Sequence, residues 1–175
     1  MASSASIRLC GALMIVVCST PLIGCGSTSP DEVRAADAYT TVVRWLLNNE
    51  LGADPDPEVA LFFESLTADE IPLEVQVEML GLLDEFENIR FIDEHEEAVD
   101  IDLVGFPVHD GGLLIALGAI GPDDPPVVRV EMYRNQDEIS AFRFTLVESG
   151  SGWRVDADPE VVPVEELTGV PDTDD

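Results

Sequence analysis

The chain has 175 residues, of which 36 are acidic and 8 are basic, so its formal net charge is −28 at pH 7. All of the bases are arginine, because the sequence contains no lysine. A P-loop and a Schiff-base mechanism both need lysine, and nucleic-acid binding needs clustered cations, so this composition excludes all three.

The first thirty residues have the three-part plan of a secretory signal. One charged side chain, Arg8, precedes an apolar stretch from Leu9 to Cys18, and small or turn-forming residues continue to Cys25. An uncleaved membrane anchor would show the same pattern, but the apolar residues are interrupted before Cys25 and make only a marginal span. We therefore expect a signal peptide that is removed.

The end of this segment, Leu22-Ile23-Gly24-Cys25, resembles the bacterial lipobox, in which the cysteine is lipidated and becomes the new N-terminus. The resemblance implies a signal peptide over 1–24 and a lipidated Cys25 at the start of a short tether, 25–30. An ordinary signal peptide with an incidental cysteine is the alternative.

The other two cysteines, Cys10 and Cys18, lie within the removable segment. Cys25 is then the only thiol of the mature chain, so an internal disulfide, a cysteine-based metal site and a cysteine nucleophile are excluded. The mature chain keeps 36 acids and seven arginines, a net charge of −29.

Two helices are predicted in the first half of the mature chain. Ser29-Pro30-Asp31-Glu32 is a capping box with proline at the first helical position, and it predicts a helix from Pro30 to about Asn49. Val59 to Glu64 is predicted as a strand. Pro72 opens a second helix that runs to about Glu87, with a wide apolar arc.

Strands dominate the second half, joined by turns rich in glycine, proline and aspartate. The predicted strands are Asn88 to Asp93, Leu103 to Val108, Gly112 to Ile120, Val127 to Arg134, Ile139 to Glu148 and Trp153 to Asp156. Leu113 to Ile120 is apolar on both faces, so we expect that strand to be central and covered on both sides.

Helices followed by a run of hairpins predict an α+β fold, with two helices packed on a curved antiparallel meander. One domain is expected over 31–157, followed by an acidic, proline-containing tail over 158–175. The order of elements, ending in a hairpin with Gly152-Trp153-Arg154-Val155, resembles the NTF2-like and cystatin-like cone folds. The chain departs from the NTF2-like pattern in having only two evident helices.

Acidic side chains offer weak candidates for a metal site. On an extended strand Asp93, His95 and Glu97 would share a face, as a carboxylate-histidine-carboxylate set requires. A chain with this many acids produces such runs by chance, and a solvated strand end is the simpler interpretation. Loose divalent-cation binding by these residues, or by Asp54 and Asp56, is the milder alternative.

Four of the seven mature arginines fall within the predicted hairpins. If alternate residues such as Val130 and Phe142 face the core, then Arg129, Arg143 and Arg154 face away from it, with Tyr133 on the same side. Two interpretations remain: each arginine pairs with a nearby acid, or the set forms an anion-binding or partner-binding face.

Trp45 lies roughly opposite the predicted apolar stripe of the first helix. A tryptophan in that position is either covered by another segment or available to a partner. The acidic C-terminal tail is one segment that would cover Trp45.

The sequence thus predicts a highly acidic, lipid-anchored extracytoplasmic domain at the cell membrane or the outer membrane. We expect it to bind an envelope protein or an anionic ligand, or to have a structural role in the envelope, without a cofactor and without catalysis. A small-pocket enzyme or ligand carrier of NTF2-like type is the alternative, and it would need a concave cavity with convergent polar groups. Such acidity is also typical of proteins that stay soluble in a salty medium.

Overall fold

The computed structural model describes residues 29–52, 56–150 and 152–164. It has two helices and a curled mixed sheet, which is an α+β fold with a cone-like curved sheet. The predicted fold class is confirmed.

The first helix, α1, spans Pro30–Leu46, and its start is set by the predicted capping box. The Ser29 hydroxyl accepts from the Glu32 backbone N–H, and the Glu32 carboxylate accepts from the Ser29 N–H. A π-helical turn, Leu47–Leu51, continues the helix to Gly52, whose φ of 100° ends it. Both ends of the predicted helix are therefore confirmed to within a few residues.

Ser29→Ala should lower the free energy of unfolding by about 1 kcal/mol, because the Glu32 N–H loses its partner. Two hydrogen bonds from Ser29 lower the pKa of the Glu32 carboxyl group, and the bond from the Ser29 backbone N–H has the larger effect. Because the Ser29 side chain is the smaller of the two causes, only part of the difference between Ser29→Ala and the wild type is present near neutral pH and lost as the pH falls through the folded-state pKa of Glu32. Urea denaturation should show this difference shrinking in acid without vanishing, since the hydrogen bond from the Glu32 N–H to the Ser29 hydroxyl does not titrate. A difference that stays constant down to pH 3 would contradict the reciprocal cap.

A strand-helix-strand unit follows. Strand β1 spans Ala60–Ser65, helix α2 spans Leu73–Leu82 and strand β2 spans Asn88–Phe91. Strand β1 pairs in parallel with β2, since α2 returns the chain to the same end of the sheet. The second helix was predicted to reach Glu87, which is wrong: Leu83 leaves the helical conformation, and the chain turns into β2.

Five further strands complete the sheet: β3 Leu113–Ile120, β4 Val127–Asn135, β5 Glu138–Ser149, β6 Gly152–Val155 and β7 Glu160–Val162. The strand order is β2-β1-β3-β4-β5-β6. Strand β5 pairs with β4 along one edge; along its other edge it pairs with β7 near its start and with β6 near its end. The predicted antiparallel meander holds for β3 to β6. It is wrong for β1, which pairs in parallel with both β2 and β3.

The sheet separates two apolar clusters. The larger cluster joins α1 and α2 to one face of the sheet, and it includes the strand residues that were predicted to face the core, namely Val128, Val130, Met132, Phe142, Phe144, Leu146, Trp153 and Val155. The smaller cluster lies on the other face, beneath the segment 98–108. Strand β3 contributes to both, which confirms that it is central and covered on both sides.

The predicted strand Leu103 to Val108 is wrong. Its residues form a loop, and the isolated bridge between Val99 and Val108 closes the base of that loop. Gly105 and Phe106 have φ values of 84° and 46°, which bend the chain away from an extended path. Neither helix within the described residues is long and apolar enough to cross a membrane.

Candidate partner-binding surfaces

The concave face of the sheet is filled by helix α1. Buried residues of α1 lie on opposite sides of the helix, with Ala36 and Val43 on one side and Ala38 and Val42 on the other. Leu46 adds a fully buried side chain to the same cluster. The space between α1 and this face of the sheet is therefore occupied by apolar side chains.

Trp45 belongs to this packing. Its ring meets Phe144 edge-on at 5.3 Å and Phe142 at 6.4 Å between centroids, and the side chain is half-buried. It shares the helix side of Ala38 and Val42, so it lies against β5 rather than on a free helix face. Strand β5 provides this cover, and residues 165–175 of the acidic tail lie outside the described residues.

The arginines of the hairpins each lie against a carboxylate. Arg129 Nη2 is 2.6 Å from Glu131 Oε1, and Arg143 Nη1 is 2.8 Å from Glu160 Oε2. Arg154 Nη2 is 3.6 Å from Asp156 Oδ1. Arg129 and Arg143 are direct cross-strand neighbours, as strand parity predicted. The face that carries them is therefore a mixed surface of alternating charge rather than a purely positive one.

The pair Arg129–Glu131 differs from the others in its burial. The Glu131 side chain is 1% exposed, and Arg129 also donates to the Pro163 carbonyl at 2.8 Å. An arginine held on both sides in this way links β4 to the chain after β7, so its contacts tie the end of the described chain to the sheet. This geometry favours the paired interpretation of Arg129.

Tyr133 does not reach the surface. It is 1% exposed, and its hydroxyl donates to the Phe106 carbonyl at 2.7 Å. Burial raises the pKa of Tyr133, because the phenolate would lose its hydration. Tyr133 therefore holds the loop 100–107 to the sheet and adds nothing to an exposed arginine face.

His95 lies in the same buried layer. Its ring meets Tyr133 edge-on at 5.1 Å, and Nδ1 lies 3.4 Å from Glu64 Oε1. The atom Nε2 has no hydrogen-bond partner among the described residues. Glu64 of β1 and Glu131 of β4 occupy one cross-strand row, with the apolar Ala116 of β3 between them.

The shared face proposed for Asp93, His95 and Glu97 does not form, because β2 ends at Phe91 and residues 95–97 make a 3-10 turn. Glu97 Oε1 accepts from the backbone N–H groups of Asp93 and Glu94 at 3.3 Å each, so it caps the turn. No group of three metal-ligating side chains occurs within the ranges that the structure describes. The Asp56 carboxylate accepts from the Glu58 backbone N–H at 2.9 Å, and Asp54 lies outside the described residues.

Two of the open clefts at the surface of the described residues lie next to aromatic rings. One of about 180 Å³ lies where β1 and β2 end, above Phe63 and Phe91 and beneath Glu70 and Asp93. The other, of about 380 Å³, lies between Trp153 and the turn that contains Asp123, Asp124, Pro125 and Pro126. Beside it the Arg34 guanidinium stacks on the Trp153 ring at 5.0 Å and pairs with Glu148. Both are shallow surface features rather than enclosed pockets.

A further surface, which was not predicted from the sequence, is formed by residues 100–107, which we call the apolar loop. Ile101, Leu103 and Val104 are 54%, 53% and 101% exposed. Phe106, which is not glycine, has a positive φ, a conformation that costs on the order of 1–3 kcal/mol and is most common at functional sites. The signal in the sequence was Gly105-Phe106-Pro107, which interrupts an alternating pattern with two turn-forming residues.

Cys25, the predicted lipidation site, lies outside the described residues, as do 165–175 of the acidic tail. No protein-family model, curated protein or solved structure matches the chain.

Proposed function

We propose that this chain is a lipid-anchored extracytoplasmic domain that binds a partner through its outer surface and carries out no chemistry. The observation that carries the proposal is the filled concave face. An enzyme or ligand carrier of the cone type would place convergent polar groups there, and this chain places Ala38, Val42, Val43 and Leu46 of α1 there instead.

The short distance between the lipobox cysteine and the folded body supports the anchor. Cys25 precedes the helix cap, Ser29, by four residues, which span at most about 14 Å when extended. A lipid on Cys25 would hold the N-terminal end of α1 next to the membrane. Each acyl chain contributes about 0.8 kcal/mol per buried methylene, which offsets repulsion of about 1 kcal/mol per charge near an anionic surface.

Changing the lipobox cysteine tests the proposal. Cys25→Ala should give a product without fatty acid that keeps residues 1–24, since the lipobox cysteine is both the residue that is acylated and the point at which the signal peptide is removed. Intact-mass spectrometry measures both changes and should show a fatty-acylated N-terminal Cys25 in the wild type, and ultracentrifugation of cell extracts should place the wild type in the membrane fraction.

The matched control is Cys18→Ala, which changes a cysteine within the predicted signal peptide. The mature product should be the same as that of the wild type, and it should stay in the membrane fraction. The proposal fails if the purified wild-type chain begins upstream of Cys25, if it carries no fatty acid, or if Cys25→Ala is acylated and shortened as the wild type is.

A further inference from the structure

The apolar loop is held firmly, although its side chains are exposed. The Asp100 N–H donates to the Pro107 carbonyl at 2.9 Å, and the Gln136 N–H donates to the Gly105 carbonyl at 2.9 Å. Tyr133 Oη adds a buried hydrogen bond to the Phe106 carbonyl. A loop fixed from three sides presents Ile101, Leu103 and Val104 in one arrangement before it meets a partner, so little conformational entropy is lost on binding.

The loop lies at the end of the domain opposite the predicted tether. Near the start of α1, the Arg34 carbonyl accepts from Trp153 Nε1 at 3.1 Å, next to the β5–β6 turn. Beyond the other end of α1, Arg134 donates to the Glu50 carbonyl at 3.3 Å, next to the β4–β5 turn that binds the loop. The helix from Arg34 to Glu50, with its π-helical turn included, is about 24 Å long at 1.5 Å per residue.

We propose that the apolar loop is a protein-docking site, which inserts Leu103 and Val104 into an apolar pocket bordered by arginine or lysine on a second protein. The proposal rests on the proposed function for its orientation: a lipid at the start of α1 directs the loop away from the membrane. The fully buried centre of a protein interface is more apolar than its polar rim, which suits the exposed side chains of Leu103 and Val104.

The acidic residues around the apolar loop indicate the charge of the partner that it binds. Asp102 is exposed on the loop itself, and Asp137 is exposed in the turn that holds it, so the loop is an apolar tip with an acidic border. Two copies of a chain with a net charge of −29 would bring like borders together, which opposes self-association. An anionic lipid surface is opposed by the same charges and by the position of the loop. A partner with a basic border is attracted instead.

A photo-crosslinking experiment tests the site in the full chain. Benzoylphenylalanine replaces Val104 in one variant and Val161 in the control, because Val161 is 75% exposed on β7, away from the loop. Irradiation of the native cells should give one discrete adduct with another protein from position 104 and none from position 161. Mapping the adduct should place it in an apolar pocket lined by arginine or lysine.

Binding of the purified full chain to the crosslinked protein then measures the contribution of the loop. Val104→Ser should weaken Kd at least about tenfold, equivalent to about 1.4 kcal/mol. The affinity should also fall as salt is raised, and the melting temperature should not change, since Val104 is fully exposed. An adduct with lipid, an adduct of twice the mass of the chain, no adduct, or an unchanged Kd would each overturn the proposal.

The same variants separate the two proposals. If Cys25 carries no lipid but the position-104 adduct forms, the anchor is wrong and the docking site stands. If Cys25 is acylated and no adduct forms, the docking site is wrong and the anchor stands.

Discussion

Phe144→Ala should lower the free energy of unfolding by about 3–5 kcal/mol, a large part of the roughly 5–15 kcal/mol available to a domain of this kind. Phe144 is fully buried, and its ring lies 5.3 Å from Trp45 and 6.1 Å from Phe142. Alanine removes the ring and leaves a cavity between α1 and β5, which the surrounding residues fill only in part. The variant therefore measures directly how closely α1 packs into the concave face.

Urea denaturation at one fixed ionic strength measures this loss, because the large net charge makes stability depend on salt. The emission of Trp45 should shift to longer wavelength as water reaches its ring. Val161→Ala, a change at a 75% exposed position, is the matched control and should alter stability by no more than about 0.5 kcal/mol. A loss of under 1 kcal/mol from Phe144→Ala would show that the concave face is loosely filled, which would remove the main support for a non-catalytic domain.

The strand faces and the first helix were predictable because each depends on local chemistry. The capping box at Ser29 and Glu32 satisfies backbone groups only a few residues apart, and alternation in β4 and β5 fixes which side chains meet the core. Parallel pairing of β1 was not predicted, because it joins Phe62 to Leu114, residues far apart in the chain. Such pairings depend on how α2 closes the crossover, which no periodicity within a strand reveals.

The candidate site was predicted less well, and for a related reason. A helical wheel for α1 assumes one buried side, but the helix lies between α2 and the sheet, so the Trp45 side is buried as well. Tyr133 faces the side of the sheet away from the helices, as the alternation in β4 predicted, but the segment 98–108 covers that part of the face. Strand β7 was missed because Glu160-Val161-Val162 lies in an acidic, proline-containing stretch that resembles a tail. Each difference comes from a segment packing over a surface that the local pattern leaves open.

Gly112→Ala should destabilise the domain by about 1–3 kcal/mol, because the sheet has no room for a methyl group at this point. A Cβ at Gly112 would lie 2.3 Å from the Ala60 carbonyl oxygen and 2.9 Å from the Ala60 Cβ. The φ of Gly112 is −78°, so the backbone itself tolerates alanine and the effect is one of contact alone. The carbonyl belongs to the backbone of β1 and cannot rotate away, so the starts of β1 and β3 must separate. The parallel pair that joins α2 and β2 to the rest of the sheet would therefore be loosened at its first residues.

Gly81→Ala supplies the matched comparison, since the same methyl group meets nothing within 4 Å on the exposed side of α2. Alanine there should raise the free energy of unfolding by about 0.5–1 kcal/mol, because glycine loses more backbone entropy in a helix. Thermal denaturation of the two variants should thus move in opposite directions from the wild type. If both variants raised the melting temperature equally, the glycine effect would be one of chain entropy in general, and the close approach of β3 to β1 would lose its support. If only Gly112→Ala lowered the melting temperature, the parallel pair of β1 and β3 near Ala60 would be the contact that fixes the strand-helix-strand unit to the meander. The same contact would then keep the sheet curved around α1.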